Sequence, residues 1–128
     1  MNIKKAAETT ELTADTIRYY ERVGIIGAVP RLENGIRDFD ERSLTQLHFA
    51  KIMRNAGMSI EALKQYIDLI YEDNEATIPA RKAMLVDAAD EMDQKINDLV
   101  VARDYLRSKV DNYYGHMRDM EQKLVSDE

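Results

Sequence analysis

The chain contains no cysteine. That excludes a disulfide framework, a thiolate metal site and a thiol nucleophile. It also has no run of about 18 apolar residues, the least that crosses a bilayer as a helix, so a membrane-spanning helix is excluded. The opening Met1-Asn2-Ile3-Lys4-Lys5 lacks the apolar stretch of a secretory signal, and the location expected from these features is the cytoplasm. Histidine is scarce: His48 and His116 lie far apart. A zinc site takes three or four ligands, and no such cluster is visible, so neither metal nor cofactor is expected. His48, between Leu47 and Phe49, reads as a packing or surface residue. There is no Ser-His-Asp set and no glycine-rich phosphate loop, which makes an enzyme the weakest functional class. Low-complexity segments and internal repeats are absent as well.

What is present is helix-forming material. Hydrophobic residues make up 45% and charged residues 33% of 128 positions, a mix that suits helices with one buried stripe and one wet face. The net charge of -6 is unevenly spread. Residues 1–58 hold nine Lys/Arg against eight Asp/Glu, a net +1, whereas residues 59–128 hold nine against sixteen, a net -7. The acid belongs to the second half, so any case for a polyanionic partner rests on where the cations of the first half sit. Asp87, Asp90, Glu91 and Asp93 read as the solvated face of a helix.

The first half reads as a small head. Ile3, Ala6 and Ala7 recur at helical spacing up to Thr10. Glu11-Leu12 makes a tight turn, and Thr13 is suited to cap a second helix from Ala14 to about Val23. Gly24 can provide the left-handed exit. Two short helices joined this way form a helix-turn-helix. On the second one Ile17 and Tyr20 face inward, leaving Thr13, Asp15, Thr16, Arg18, Tyr19 and Arg22 on the outer part, a helix that fits a DNA major groove. Pro30 ends helical structure. Arg31-Leu32 and Ile36-Arg37 are then the strands of a hairpin closed by Asn34-Gly35 in a type I′ turn. This wing carries arginines on both sides of its tip, placed to hold backbone or enter a minor groove. Asp40 caps a helix to Ala56 with Leu44, Leu47 and Ile52 facing inward. Ser59 caps another to about Glu72 with Leu63, Tyr66, Ile67 and Ile70 buried. The head thus spans residues 1–72, followed by a polar turn at 73–77.

From Ile78 the pattern is heptad. With Ile78, Leu85, Met92, Leu99, Leu106, Tyr113 and Met120 at d, position a holds Lys82, Ala89, Ile96, Arg103, Val110, Met117 and Leu124. Twelve of these fourteen are apolar, which predicts a coiled coil. A helix from 78 to 114 would be ~55 Å long at ~1.5 Å per residue and needs a partner to cover its seam. The expected homodimer contacts are Leu85, Ala89, Met92, Ile96, Leu99, Arg103, Leu106, Val110 and Tyr113. An antiparallel register that sets each a against a d pairs Ile96 with Leu99, Ala89 with Leu106, Val110 with Leu85, Arg103 with Met92 and Lys82 with Tyr113. Gly115 marks the break before a tail, 115–128. Tyr105, Tyr113 and Tyr114 read as aromatic packing at the coil end, with an apolar effector site there as the second reading.

The runs Leu12-Thr13-Ala14-Asp15-Thr16-Ile17-Arg18-Tyr19-Tyr20-Glu21-Arg22, Glu33-Asn34-Gly35-Ile36-Arg37-Asp38-Phe39 and Met53-Arg54-Asn55-Ala56-Gly57-Met58-Ser59-Ile60 resemble the N-terminal signature of the MerR family of transcription regulators. The resemblance covers residues 1–72, and the long helix sits where that family has its dimer helix. It implies a mostly α fold, with a winged helix-turn-helix head and an antiparallel coiled coil between subunits. It implies double-stranded promoter DNA as the partner. RNA polymerase is served indirectly, through kinking and untwisting of a spacer that is too long. Two departures stand out. The turn carries Glu11 where glycine is usual. Ile52 stands where otherwise similar aldehyde- and electrophile-responsive relatives carry cysteine, so the resemblance carries over no thiol or cysteine-ligated metal sensing, and any small-molecule effector is unidentified. The rival class is a coiled-coil interaction protein whose helix-turn-helix binds protein instead of DNA.

Overall fold

The computed structural model describes residues 1–126. The last two positions of the expected 115–128 tail, Asp127 and Glu128, lie outside the described residues. Helices α1 (Ile3–Thr10), α2 (Ala14–Val23), α3 (Glu41–Asn55) and α4 (Ile60–Tyr71) come first. A 3₁₀ turn (Glu75–Thr77) leads to α5 (Ile78–Asp111), and a wide π turn (Tyr113–Met117) leads to α6 (Arg118–Val125). The fold is mostly helical, and the chain divides into two compact units, residues 1–89 and 90–128.

Each helix of the first unit starts where its side chains satisfy free amides. Asn2 accepts from the Lys5 amide, Thr13 from Thr16, Asp40 from Ser43 and Ser59 from Ala62, each offsetting one of the orphan donors of a first turn. Gly24 ends α2 in the left-handed region at φ 83°. The four helices then bury one cluster that includes Ala6, Ile17, Tyr20, Ile25, Phe39, Leu47, Ala50, Leu63 and Ile67. Full burial of such aliphatic side chains contributes about 1.5–3 kcal/mol each. Ala88 of α5 packs against the same cluster, so the opening of α5 belongs to this unit.

Two expected core positions lie outside. Ile52 is 64% exposed and Ile70 36% exposed. On α3 the buried stripe is Ser43, Leu47 and Ala50, and Ile52 is two residues from it, on the other side of the helix. Ile70 falls at the end of α4, past the buried Leu63 and Ile67.

The second unit differs from expectation at its helix end. The long helix stops at Asp111, not 114, and Asn112 leaves helical geometry with φ -119° and ψ 43°. Tyr113 therefore heads the π turn, and its hydroxyl donates to Glu121 Oε2 of α6 at 2.9 Å. The π turn takes the chain off the heptad line.

Glu11 adopts the left-handed conformation, φ 57° and ψ 31°, that a side chain disfavours by ~1–2 kcal/mol. Lys51 of α3 spans the turn: its Nζ donates to the Thr10 carbonyl at 2.9 Å and to Glu11 Oε2 at 3.2 Å. It thereby satisfies a carbonyl that the end of α1 leaves open. Replacing Glu11 with glycine should stabilise the chain by about 0.5–1 kcal/mol, the left-handed penalty less glycine's larger unfolded-state entropy. Glu11→Val should destabilise it. Urea denaturation midpoints of the two variants check this; a lower midpoint for Glu11→Gly would remove the strain argument.

Candidate nucleic-acid interface

The recognition helix α2 presents the outer face expected of it. Ile17 and Tyr20 are buried in the core, which fixes its roll. Thr13, Asp15, Arg18 and Arg22 are exposed, and Thr16 and Tyr19 half-buried. The Thr13 hydroxyl donates to Thr16 Oγ1 at 2.8 Å while accepting the Thr16 amide, so the first turn has its hydroxyls locked. Arg18 Nη1 pairs with Asp15 Oδ1 at 3.0 Å. Asp15 is almost fully exposed, and a solvent-exposed pair of this sort is weak enough to exchange for another anion. The Arg22 guanidinium lies 5.2 Å from the centre of the Tyr19 ring, a cation–π contact that holds it extended along the helix.

The wing departs from the expected hairpin. Its turn is closed by the Gly35 amide donating to the Leu32 carbonyl at 2.9 Å, so Glu33 and Asn34 are the central residues and Gly35 follows at φ 84°. Only Gly35, not Asn34, has positive φ. This is a three-residue loop with a left-handed glycine, not a type I′ turn. Asn34 Oδ1 accepts from the Ile36 amide at 3.1 Å, a local bond that favours this loop. The two expected strands reduce to one bridge, Arg31 to Arg37. The Asp38 amide donates to the Pro30 carbonyl at 2.7 Å, but Pro30 has no N–H to return, and pairing stops there. Arg31 Nη1 donates to the Gly35 carbonyl at 2.7 Å, which draws that arginine over the loop.

Between helix and wing stands Glu21. Its Oε2 accepts from the Val29 amide at 2.7 Å, and its Oε1 accepts from Arg37 Nε at 2.8 Å. Burial alone would push its carboxyl up; the Val29 amide and the Arg37 guanidinium, with the charge of Arg31 beyond, hold it below the ordinary glutamate value.

A family model for MerR HTH family regulatory proteins matches residues 1–70. The chain belongs to the MerR family. A second family model, described as MerR, DNA binding, matches residues 44–109. The chain is 51% identical over 87 residues to the HTH-type transcriptional regulator AdhR of Bacillus subtilis, which spans 68% of this chain and 61%, less than two thirds, of that one. A MerR family transcriptional regulator of Listeria monocytogenes superposes with a TM-score of 0.76 at 40% identity, covering 97% of this chain and 93% of the other. A third relative, HiNmlR, is a MerR family regulator lacking the sensor domain whose crystal structure is bound to promoter DNA. It superposes at 0.73 with 27% identity, covering 88% and 89%. The chain is a DNA-binding transcription regulator of this family.

In this MerR-family head, the ten residues expected to touch DNA fall on two elements. Thr13, Asp15, Thr16, Arg18, Tyr19 and Arg22 lie on α2 or its cap; Arg31, Asn34, Gly35 and Arg37 lie on the wing. Arg37 is more enclosed than expected, its side chain 24% exposed because of Glu21. Glu21 and Lys51 were not singled out by sequence reasoning. The available signal was an acid set among Arg18 and Arg22, where a phosphate-facing helix has no use for one unless it is turned inward. The dimer candidates on α5 are open in the chain: Leu85, Ala89, Ile96, Leu99, Arg103, Leu106 and Val110 are exposed, Met92 half-exposed. Tyr113, the last of them, lies beyond the helix. Among the described residues no helix is long and apolar enough to cross a membrane.

A lowered folded-state pKa makes Glu21 stabilising above about pH 4.3, the ordinary glutamate value. That contribution disappears as pH falls through the lower folded value. Glu21→Gln lacks the titrating group, so its stability should decline less steeply than that of the wild type between about pH 5 and pH 3. Urea titrations at a series of pH values measure the difference, and parallel curves would count against the part-buried ion pair.

Proposed function

We propose that this regulator works as a homodimer, its two α5 helices paired antiparallel, placing two heads on a two-fold promoter operator. The spacer DNA is kinked and untwisted there so that RNA polymerase can engage both promoter elements. The observation that supports this is α5 itself. Its 34 residues include none that is buried, and Leu99 and Val110 are 69% and 73% exposed on the heptad seam. Such a seam in water favours a partner. A partner of the same sequence sets two recognition helices and two wings about one axis, the arrangement a palindromic site requires. The promoter-bound relative supports DNA as the ligand. Smoothly bending a site costs on the order of 1–6 kcal/mol, and the paired heads offset that with phosphate and base contacts. The signal that sets the balance between repression and activation is unidentified.

Binding to DNA from the regulator's own promoter region, measured over a salt series, tests the DNA partner. Each phosphate neutralised contributes about -0.9 to the slope of log affinity against log salt. Arg18→Ala should cost about 1–3 kcal/mol at particular base pairs. Arg37→Ala should weaken binding on all sequences alike and lower the slope by about one. Affinity that ignores salt would point to a protein partner for the head instead.

The register can be tested because the chain has no thiol. Ile96 opposite Leu99, Ala89 opposite Leu106 and Val110 opposite Leu85 keep their places within α5; the Lys82–Tyr113 pair does not, since Tyr113 leaves the helix for Glu121. Arg103, which pairs with its neighbour Asp104 at 3.2 Å in the chain, would meet its own copy in a parallel pair, an unfavourable contact. Leu85→Cys and Val110→Cys, mixed and re-annealed, should cross-link through a short bifunctional thiol reagent mainly in the mixture. Efficient self-cross-linking of each single variant, with no gain on mixing, would reverse the proposed orientation.

A further inference from the structure

We propose that Glu21 is a positioning residue that fixes the wing against the recognition helix, so that major-groove and wing contacts are made by one rigid body. This rests on the reading that the wing touches DNA. The roots of the wing are anchored by the buried Val29 and Phe39 and by the Met1 ammonium, which donates to Asp38 Oδ1 and to the Phe39 carbonyl, but the loop between them puts no side chain into the core. Arg31 through Ile36 are exposed, with Leu32 and Ile36 half in water. A two-stranded hairpin with one bridge is marginal by itself. The Glu21 carboxylate reaches both of its legs. Oε2 takes the amide of Val29, the buried residue just before Pro30 on the leg that enters the wing. Oε1 takes Nε of Arg37 on the leg that leaves it. Both side chains of the ion pair are mostly shielded from solvent, 15% and 24% exposed, so the pair is held more firmly than a surface one. Its geometry also settles what Arg37 offers outward. A guanidinium has five N–H donors in a fixed fork. With Nε turned in to Glu21, the terminal amino groups have no other partner among the described residues, and they are the part left for a phosphate.

Simple charge counting gives the opposite answer. Glu21 is an acid on a helix that faces phosphates, so neutralising it should tighten DNA binding through the extra net positive charge. If it instead holds the wing, neutralising it should weaken binding. The sign of one measurement separates the two.

Glu21→Gln keeps the size and an acceptor for the Val29 amide but loses the charged tie to Arg37. It should bind operator DNA about tenfold more weakly, the scale of one lost charged hydrogen bond, with a salt slope lower by about one. Hydroxyl-radical footprinting should lose protection at the wing sites and keep it at the recognition-helix sites. On an Arg37→Ala background the same substitution should change affinity by less than about twofold, because the two residues act through one contact. A readout free of DNA comes from Glu33→Cys, the sole thiol, carrying a nitroxide at the wing tip: Glu21→Gln should raise its mobility at a temperature well below unfolding, where the circular-dichroism spectrum keeps its full helical signal. Equal or tighter binding with an intact wing footprint overturns the proposal, as does an immobile label. If the wild type shows no wing footprint, the DNA reading of the wing falls, and the label alone then judges whether Glu21 holds it.

Discussion

A helix of 34 residues in which no side chain is buried is the constraint from which most of the molecule's logic follows. The hydrophobic effect is proportional to apolar area removed from water, and α5 removes almost none on its own beyond the contact of Ala88 with the head. The head has already closed its own core around Ile17, Leu47 and Leu63. A second chain is what the proposed dimer offers the seam of α5, and pairing identical chains through one helix generates two-fold symmetry. In the proposed dimer that symmetry would fix the form of the ligand: two copies of α2, related by an axis, would match two half-sites of duplex DNA.

Much of this was legible in the residues, and the reasons differ from element to element. Helix starts were legible because Thr13, Asp40 and Ser59 each pair a short polar side chain with an amide three residues on, a purely local bond. The inward roll of α2 followed from the spacing of Ile17 and Tyr20. The heptad on α5 is periodic over many turns, which makes it robust to single exceptions. Local cues failed where one bond competes with another. Asn34-Gly35 suggests a type I′ turn, yet the Asn34 side chain bonds the Ile36 amide and leaves only Gly35 left-handed. Ile52 and Ile70 are apolar at nearly the right spacing, but which face α3 and α4 bury is decided by neighbours distant in sequence. The end of α5 was placed at 114 because Gly115 is the obvious breaker; the break comes earlier because Tyr113 finds Glu121 eight residues on. Glu21 and Lys51 were missed for the same reason: their partners, Val29, Arg37 and Thr10, are set by the fold and leave no periodic trace.

The charge of the chain illustrates why location outranks total. An overall charge of -6 would repel DNA if spread evenly, but at physiological salt the Debye length is about 8 Å, so what counts at the duplex is the charge close to it. Within the head the count is nearly even, and selectivity comes from how each acid is used. Asp15 lies in the open beside Arg18, a partner that phosphate can replace. Glu21 is turned inward and neutralised by Arg37 and the Val29 amide. Asp40 is engaged by the Ser43 amide and hydroxyl as a helix cap, which holds its carboxyl below the ordinary aspartate value. Two carboxylates close to the DNA-facing elements, Glu21 and Asp40, are thus kept from acting as free negative charges there, while Arg18 and Arg22 remain exposed.

That distribution bears on how a small head can work on DNA at all. Ordering a loose element on binding costs about 0.5–1.5 kcal/mol for each immobilised side chain, and a wing of seven residues, left free, would pay such a cost several times over before its first phosphate contact counted. Deforming the spacer adds a demand on the order of 1–6 kcal/mol. Contacts made by elements already fixed in place lose none of their strength to ordering and are available in full against the deformation. The locked hydroxyls of Thr13 and Thr16, the stacked Arg22 and the two-legged hold of Glu21 on the wing all act in this direction: each places a DNA-facing group before DNA arrives. The strained left-handed Glu11, tied by Lys51, belongs to the same economy of rigid parts, since it fixes the angle at which α1 delivers α2. The resulting head is a stiff tool, and in the proposed mechanism stiffness is what would allow contact energy to be converted into a change of DNA shape.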